Sequence, residues 1–369
     1  MNKRKFLLIF ILMILLIFII AVGGKVLFSE DDGNFNVKPL GQEEIEESKH
    51  QVSVVPTMKD TIEENSAWCA TFQLVWNDMQ DNLVEGDIEF SEPNVLVDNL
   101  NSQIFKENDI SKEYYYKKCG LMTLDLKEEI ERGIEKKFGE KSDILDMFDW
   151  EDRGERYFFY AMLKRDFEFL NEFEILDKAN FKDTENVEYF GIESSENDSL
   201  RNQVSVLYYN TEKDFAVKLH TKSNDEIILA IKDDGGNFEE LYSDIIEKSE
   251  KFDGNTEFGK LDILKVPNID MNVLREYQEL AGKPFAIKDG TLVEIEKAVQ
   301  TIQMKLDNKG GSIRSEAAIA ATKSAIVFDT AEPRNFSFDK DFVIFLKEAD
   351  KKIPYFAASI SDINLFVQK

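Results

Sequence analysis

Few residues in this chain could do chemistry that depends on a thiol or an imidazole. The 369 residues include two cysteines, Cys69 and Cys119, and two histidines, His50 and His220. A thiol becomes a strong nucleophile when a helix N-terminus lowers its pKa and a histidine accepts its proton. Cys69 lies where we predict a helix to begin, and His220 could supply the base. A thiol enzyme using Cys69 is therefore a remote alternative, and a structural role for this cysteine is favoured.

The two cysteines leave two arrangements open. Cys69 and Cys119 form one disulfide if the folded region lies outside the cell, where such bonds persist. Two separate buried thiols are an equal alternative, because free cysteine packs as a small apolar residue. The sequence has no Cys-x-x-Cys pair and no glycine-rich phosphate loop, so we expect neither a metal nor a cofactor.

The charge of the chain narrows the class of partner. Its 72 acidic and 45 basic side chains give a formal net charge of -27. A surface this acidic repels the phosphates of nucleic acids, so we exclude nucleic acid as a partner. Acidic pairs are so frequent that no carboxylate dyad can be singled out as catalytic.

Three features of the C-terminal third matter together: a strand, a glycine turn followed by small side chains, and a closing hairpin. Residues 296–306 alternate between apolar and polar side chains and predict a strand. A glycine pair follows this strand, and small residues then dominate positions 315–322. By itself an alanine-rich run is more typical of a helix.

The elements around this run mix helices and strands without regular alternation. Spacing of apolar residues predicts helices at 68–79, 126–138, 238–248 and 272–280. Short apolar runs predict strands at 157–163, 204–209, 215–219, 227–231, 342–346 and 355–360, the last two as an antiparallel hairpin. This order indicates an α+β fold rather than a doubly wound sheet.

In this order the elements resemble the serpin family. Lys297-Ala298-Val299 resembles the family's Lys-Ala-Val strand, and residues 315–322 resemble its small-residue hinge. Residues 341–345 resemble the start of its terminal hairpin, and residues 159–164 resemble its Asn-Ala-Ile-Tyr-Phe-Lys element. The resemblance covers residues 155–366 well and 65–155 loosely. It identifies the chain as similar to a divergent, bacterial-type serpin with a shortened N-terminal half.

The resemblance implies an inhibitor of serine or cysteine endopeptidases with mixed sheets and an exposed reactive-centre loop at about 310–333. Its partner would be a target protease, and its cleaved loop would insert into a sheet as a new strand. The implied hinge comprises Gly310, Gly311, Ser315, Glu316, Ala317, Ala318, Ala320, Ala321 and Thr322. Counting along the loop places the scissile region at Phe328, Asp329 and Thr330.

Several positions depart from the family pattern and favour a second interpretation. Ile313 and Arg314 interrupt the small hinge and would be awkward in an inserting strand. Gln300 stands where many serpins have histidine, and Tyr160 stands where they have asparagine. A non-inhibitory surface binding protein with the serpin fold is therefore the alternative function.

The N-terminus predicts a membrane segment. An apolar run of 17 residues, at 6–22, follows a basic flank, and a bilayer span typically needs roughly 20. We divide the chain into a basic end and signal-anchor at 1–25, an acidic flexible stalk at 26–60 and a serpin-like domain at 61–369. We expect a single-pass protein of the cell membrane with its folded domain extracellular and monomeric. Secretion after signal cleavage is the alternative.

Overall fold

The computed structural model describes residues 52–142, 144–151, 154–193, 197–232, 236–313 and 332–367. Within these ranges no helix is long and apolar enough to cross a membrane. The predicted membrane segment at 6–22 lies outside the described residues, as does the stalk up to residue 51.

The described residues form several sheets and a few helices, which confirms the α+β class. The α-helices are α1 (Thr71–Met79), α2 (Val95–Asn101), α3 (Leu124–Phe138), α4 (Asp198–Arg201) and α5 (Phe238–Lys251). The strands are β1 (Ser53–Val54), β2 (Ser66–Cys69), β3 (Tyr115–Leu121), β4 (Tyr157–Leu163), β5 (Arg165–Glu168), β6 (Glu174–Phe181), β7 (Thr184–Ile192), β8 (Val204–Thr211), β9 (Asp214–His220), β10 (Asp225–Ile231), β11 (Ile263–Pro267), β12 (Ile269–Glu276), β13 (Pro284–Ala286), β14 (Leu292–Glu294), β15 (Val299–Leu306), β16 (Gly310–Ile313), β17 (Asn335–Ser337), β18 (Phe342–Glu348) and β19 (Phe356–Ile360).

The largest sheet has the strand order β1-β2-β19-β18-β10-β9-β8. The predicted C-terminal hairpin forms its centre, since β18 and β19 pair antiparallel and are buried along their whole length. Aromatic residues of α5 cover one face: the rings of Phe238 and Tyr242 lie 6.1 and 5.2 Å from that of Phe345. Burial on both faces explains why these strands are continuous apolar runs.

Four smaller sheets accompany the largest one in the described part of the chain. Two have four strands, in the orders β17-β11-β7-β6 and β12-β15-β16-β5. The other two are the pairs β13-β14 and β3-β4. Because β4 and β5 are separated by Lys164 alone, they are two halves of one continuous stretch of chain.

Two predicted helices are partly or wholly strands. Trp68 lies in β2, pairs with Ala357 of β19 and is fully buried, so the first helix begins only at Thr71. The segment predicted as a helix at 272–280 lies mostly in β12, which pairs with β15 from Ile269 to Glu276. In both segments, pairing with a strand distant in sequence overrides the local apolar spacing.

Two predicted boundaries also need correction. The folded domain begins before residue 61, because Val52, Val54 and Met58 are buried and β1 pairs in parallel with β2. Helix α3 begins at Leu124 and is capped by Thr123, whose side chain accepts a hydrogen bond from Leu126 N. The helix ends at the predicted Phe138, and Gly139 caps it with a left-handed φ of 69°.

Candidate functional site

The sheet of order β12-β15-β16-β5 divides into two arms below the short strand β16. Strand β16 lies between β5 and β15, and Ile313 at its end is opposite Arg165. On the other side it pairs with β15 only at Lys305 and Leu306. Below β16, the place of β5 is taken by β4, which directly precedes β5 in the chain. On the side away from β15, β4 pairs with β3. Among the described residues, no strand lies between β4 and the lower part of β15.

A cavity of about 590 Å³ occupies the space between these two arms. Phe159 and Ala161 line it from β4, and Ile302 lines it from β15. Phe72 and Trp76 of α1 also line it and belong to an apolar cluster. Ser312 and Ile313 lie at the upper end. We call this cavity the slot. Strand edges carry hydrogen-bonding groups, and an edge of β4 and an edge of β15 both border this cavity.

Glycine at the start of β16 is required by close packing of the backbone. A Cβ atom on Gly310 would collide with the carbonyl oxygen of Phe167. A Cβ on Gly311 would collide with the carbonyl oxygen of Lys305 and the ring of Phe167. The glycine pair that the sequence assigned to the hinge therefore lets the chain pass between β5 and β15.

A buried hydrogen-bond network fixes the wall of the slot at Gln300. Tyr277 Oη donates to Gln300 Oε1 at 2.7 Å. Gln300 Nε2 donates to Cys69 O at 3.0 Å and to Thr71 Oγ1 at 2.9 Å. Burial raises the pKa of Tyr277 well above its usual value, so this residue remains a neutral donor. The glutamine at the family's histidine position thus has partners on both sides of its amide.

Tyr160 contributes to the outer layer beside the slot. Its ring lies 6.3 Å from that of Tyr116 and belongs to an apolar cluster with Ile130 and Ile134 of α3. Alternate residues of β4 reach opposite faces of the sheet, so Phe159 joins the cluster of α1 instead. Tyr160, which stands where many serpins have asparagine, therefore lies on the face of β4 that α3 covers.

Two polar contacts join the arms at the lower end of the slot. Arg156, just before β4, has NH1 3.3 Å from Glu296 Oε2. Lys297 Nζ donates to Met147 O at 3.3 Å and lies 5.7 Å from the ring centroid of Phe148. We call these contacts the clasp. They connect the segment between α3 and β4 to the residues that precede β15.

The structure places only part of the predicted site. Gly310 and Gly311 lie in β16 at the top of the slot. The remaining hinge residues and the scissile region at Phe328, Asp329 and Thr330 lie outside the described residues, within 314–331. Among the described residues, no group of three or more acidic, cysteine or histidine side chains could hold a metal ion.

The two cysteines are free thiols, so the disulfide alternative is wrong for this structure. Cys69 ends strand β2 and is 4% exposed, and burial raises its pKa. Burial also raises the pKa of the partly buried Cys119. A raised pKa keeps a thiol protonated and unreactive, which argues against a thiol enzyme. His220 instead has Nε2 2.7 Å from Ser205 Oγ.

Sequence reasoning missed Arg165, which lies at the junction of β4 and β5. It falls at the same parity as Leu163 and Phe167, both of which are buried. A charged residue on an otherwise apolar face indicates a buried ion pair, so the signal was present in the sequence. The identity of its partners was not, because they lie far away along the chain.

No protein-family model matches the chain, and no curated protein matches it. Solved structures of serpins and of thyroxine-binding globulin are among those that resemble it. Serpin48, a highly specific serpin of the insect Tenebrio molitor, is 12% identical over 69% of this chain and 78% of that chain, with a TM-score of 0.39. Human thyroxine-binding globulin is 10% identical over 81% and 92%, with a TM-score of 0.47. Manduca sexta serpin-12 is 10% identical over 65% and 66%, with a TM-score of 0.42.

The α+β class that the sequence predicted is present. A strand and a glycine turn precede the closing hairpin, in the predicted order. The exposed loop predicted at about 310–333 begins later than expected, because Gly310–Ile313 form the buried strand β16. Within the described residues before β4, the α-helices are α1, α2 and α3.

Proposed function

We propose that this chain is a serpin-like inhibitor of serine or cysteine endopeptidases that acts through the loop that follows β16, at about 314–333. The slot carries the proposal, because it is a cavity for one strand that begins where β16 ends. The hinge would continue directly from Ile313 into it. The resemblance to serpins supports the same activity.

The pairing of β16 with β15 defines the register in which residues 314 and 315 would continue into the slot. Residues directly opposite each other in paired strands share a face. Ser312 is opposite Lys305, so continuation in the same register would place Arg314 opposite Gln303, which lies on the half-buried face of β15. Ser315 would then be opposite the buried Ile302. Arg314 would then share the face of Ser312, which is fully buried, so the sequence-based objection to Arg314 remains.

Ile313 already fits the inward face. It is 6% exposed and belongs to the main apolar core. The sequence pattern predicted that this side chain would be awkward for insertion, and its burial between β5 and β15 supports an inward position instead. This observation favours the inhibitor over the non-inhibitory alternative.

The proposed reaction uses the protease as the catalyst. Its serine or cysteine attacks the carbonyl of the scissile bond, the C–N bond breaks, and the new amine leaves with a proton. The loop then remains attached as an acyl-enzyme. Insertion of the cleaved loop into the slot would carry the protease along before water releases it, as the family resemblance implies.

The full chain in detergent provides the test. We expect incubation with serine and cysteine proteases to yield an SDS-stable complex of chain and protease, and cleavage of the loop to raise the melting temperature. Cleavage within 323–332 with neither a complex nor a gain in thermal stability would contradict inhibition. The same result would favour the non-inhibitory binding protein, a possibility that thyroxine-binding globulin, solved with thyroxine bound, illustrates for its own fold.

We also propose that the domain acts outside the cell, attached through the apolar run at 6–22. The basic flank and the length of that run support this topology. The intact mass of the mature chain distinguishes the two forms: the full sequence supports the anchor, and a product that begins near residue 23 supports secretion.

A further inference from the structure

Arg165 carries a fully buried charge at the point where the slot begins. Its Nε lies 2.5 Å from Asp225 Oδ1, and its NH1 donates to Glu348 Oε1 at 2.6 Å. All three side chains are 0 to 1% exposed. Asp225 and Glu348 are opposite each other in the pair β10-β18. We call these three residues the buried triad.

The triad has one positive and two negative side chains, and hydrogen bonds from neutral groups stabilise the carboxylates. Ser111 donates to Glu348 from its backbone N at 2.8 Å and from its Oγ at 2.6 Å. Tyr355 Oη and Ser223 Oγ donate to Asp225 at 2.9 and 2.7 Å. Hydrogen bonds to ionised oxygens are stronger than those between neutral groups, so these bonds hold both carboxylates in place around Arg165.

The position of the cation coincides with the division of the sheet. Arg165 is opposite Ile313, the last residue of β16. Its Cζ lies 3.7 Å from the ring centroid of Tyr114, whose carbonyl accepts a hydrogen bond from Lys164 N at 3.0 Å. The triad therefore connects β5 to the centre of the largest sheet one residue above the slot.

Stability alone does not explain a charge at this position. Burying an ion pair costs about as much desolvation as its attraction returns, and apolar side chains of similar volume often serve equally well. Loss of one partner, by contrast, leaves an unpaired buried charge. An arrangement with this property defines where two sheets are joined, because any movement of β5 away from β10 and β18 separates the charges.

We propose that Arg165 is a positioning residue that sets the upper limit of the slot. It holds β5 and β16 against the largest sheet, so that only β4 can separate from β15. This proposal rests on the proposed function for its consequence, since it determines where an inserting loop begins. It concerns a property of the uncleaved chain and can be measured without any protease.

Hydrogen exchange on the full chain in detergent provides the measurement. Arg165→Met alone leaves two buried carboxylates facing each other and can prevent folding. The triple variant R165M/D225N/E348Q removes every charge of the triad while keeping similar volumes. Lys178→Met is the matched control, because Lys178 and Glu188 form an exposed pair at 2.9 Å on another sheet.

In the triple variant we expect amide exchange in β5 and β16 to rise by about tenfold, while exchange in β6 and β7 is unchanged. Unchanged exchange in β5 and β16, or a uniform increase through all sheets, would overturn the positioning role. In a chain that inhibits a protease, the same variant should also shift the products from covalent complex toward cleaved chain. Failure of the native chain to form a complex with any protease would reject the proposed function and leave the exchange result to decide the role of Arg165.

Discussion

At the residue scale, two glycines and a buried arginine define the top of the slot. Gly310 and Gly311 allow β16 to lie between two strands, and Arg165 holds one of those strands in place. The two glycines are required by specific backbone clashes, and Arg165 by specific ion pairs. An arbitrary apolar side chain would not replace either. Substitutions at these positions should therefore change the slot before they change the rest of the fold.

Gly311→Ala should displace β16 from the sheet. Its Cβ would overlap the carbonyl oxygen of Lys305, and overpacking of this kind costs about 1–3 kcal/mol. We expect less covalent complex and more simple cleavage, measured by SDS gel. Gly86→Ala is the control, because a Cβ at Gly86 meets no atom within 4 Å. Equal yields of complex from both variants would contradict the role of β16.

His220 should make the domain less stable in mild acid. Burial, followed by the nearby Lys218, lowers the pKa of His220 from its usual value of 6.5. The folded state then resists protonation more than the unfolded chain, so the stability it contributes above pH 6.5 declines as pH falls from there through the folded-state pKa. Glu226 acts in the opposite direction on the pKa of the same imidazole. Urea unfolding at pH 7.5 and 5.0 should show a smaller pH dependence for His220→Gln than for the native chain; an equal dependence would rule out this source.

At the element scale, the slot is bounded by two strands that are held together at both ends. The glycine-containing β16 joins β5 and β15 at the top. The clasp joins the residues before β4 to those before β15 at the bottom. Between these ends, β4 is held from outside by β3 and α3. The width of the slot can therefore change only if one end opens.

Weakening the clasp should speed insertion without greatly changing stability. Glu296 is 63% exposed, and exposed pairs contribute about 0–1 kcal/mol. For the variant E296Q/K297M we expect a nearly unchanged melting temperature and faster formation of covalent complex by stopped-flow or quenched gel assay. Lys288→Met, which removes an exposed pair with Glu85, is the control. A rate equal to that of the control would show that the clasp does not limit insertion.

At the scale of the whole molecule, net charge is the dominant feature outside the core. A formal charge of -27 on 369 residues makes the compact state repel itself, and dissolved salt screens this repulsion. The effect opposes folding independently of the slot. It also means that a basic protease surface would approach more readily than an acidic one.

Salt should therefore stabilise the folded chain. We expect the melting temperature to rise by a few degrees, roughly, between 0.01 and 0.15 M sodium chloride, where the Debye length falls from about 30 to about 8 Å. Circular dichroism of the full chain in an uncharged detergent would measure this. A melting temperature that falls with salt would show that attractive ion pairs outweigh the net repulsion.

The sequence by itself determined the α+β class, the terminal hairpin, helices α3 and α5, and the glycine pair of the hinge. These features depend on period and on local chemistry, as in the helical spacing of Leu126, Ile130 and Ile134. The order of these elements along the chain also resembles that of serpins. Each element by itself was predicted from neighbouring residues alone.

Only the tertiary structure decided which segments pair and where the sheet divides. Strand β12 carries a pattern that also fits a helix, and its pairing with β15 settles the choice. Arg165 finds Glu348 across 183 residues of sequence, and local chemistry cannot encode a partner at that distance. The slot itself is a space between strands rather than a property of either strand, so it exists only once both have been placed.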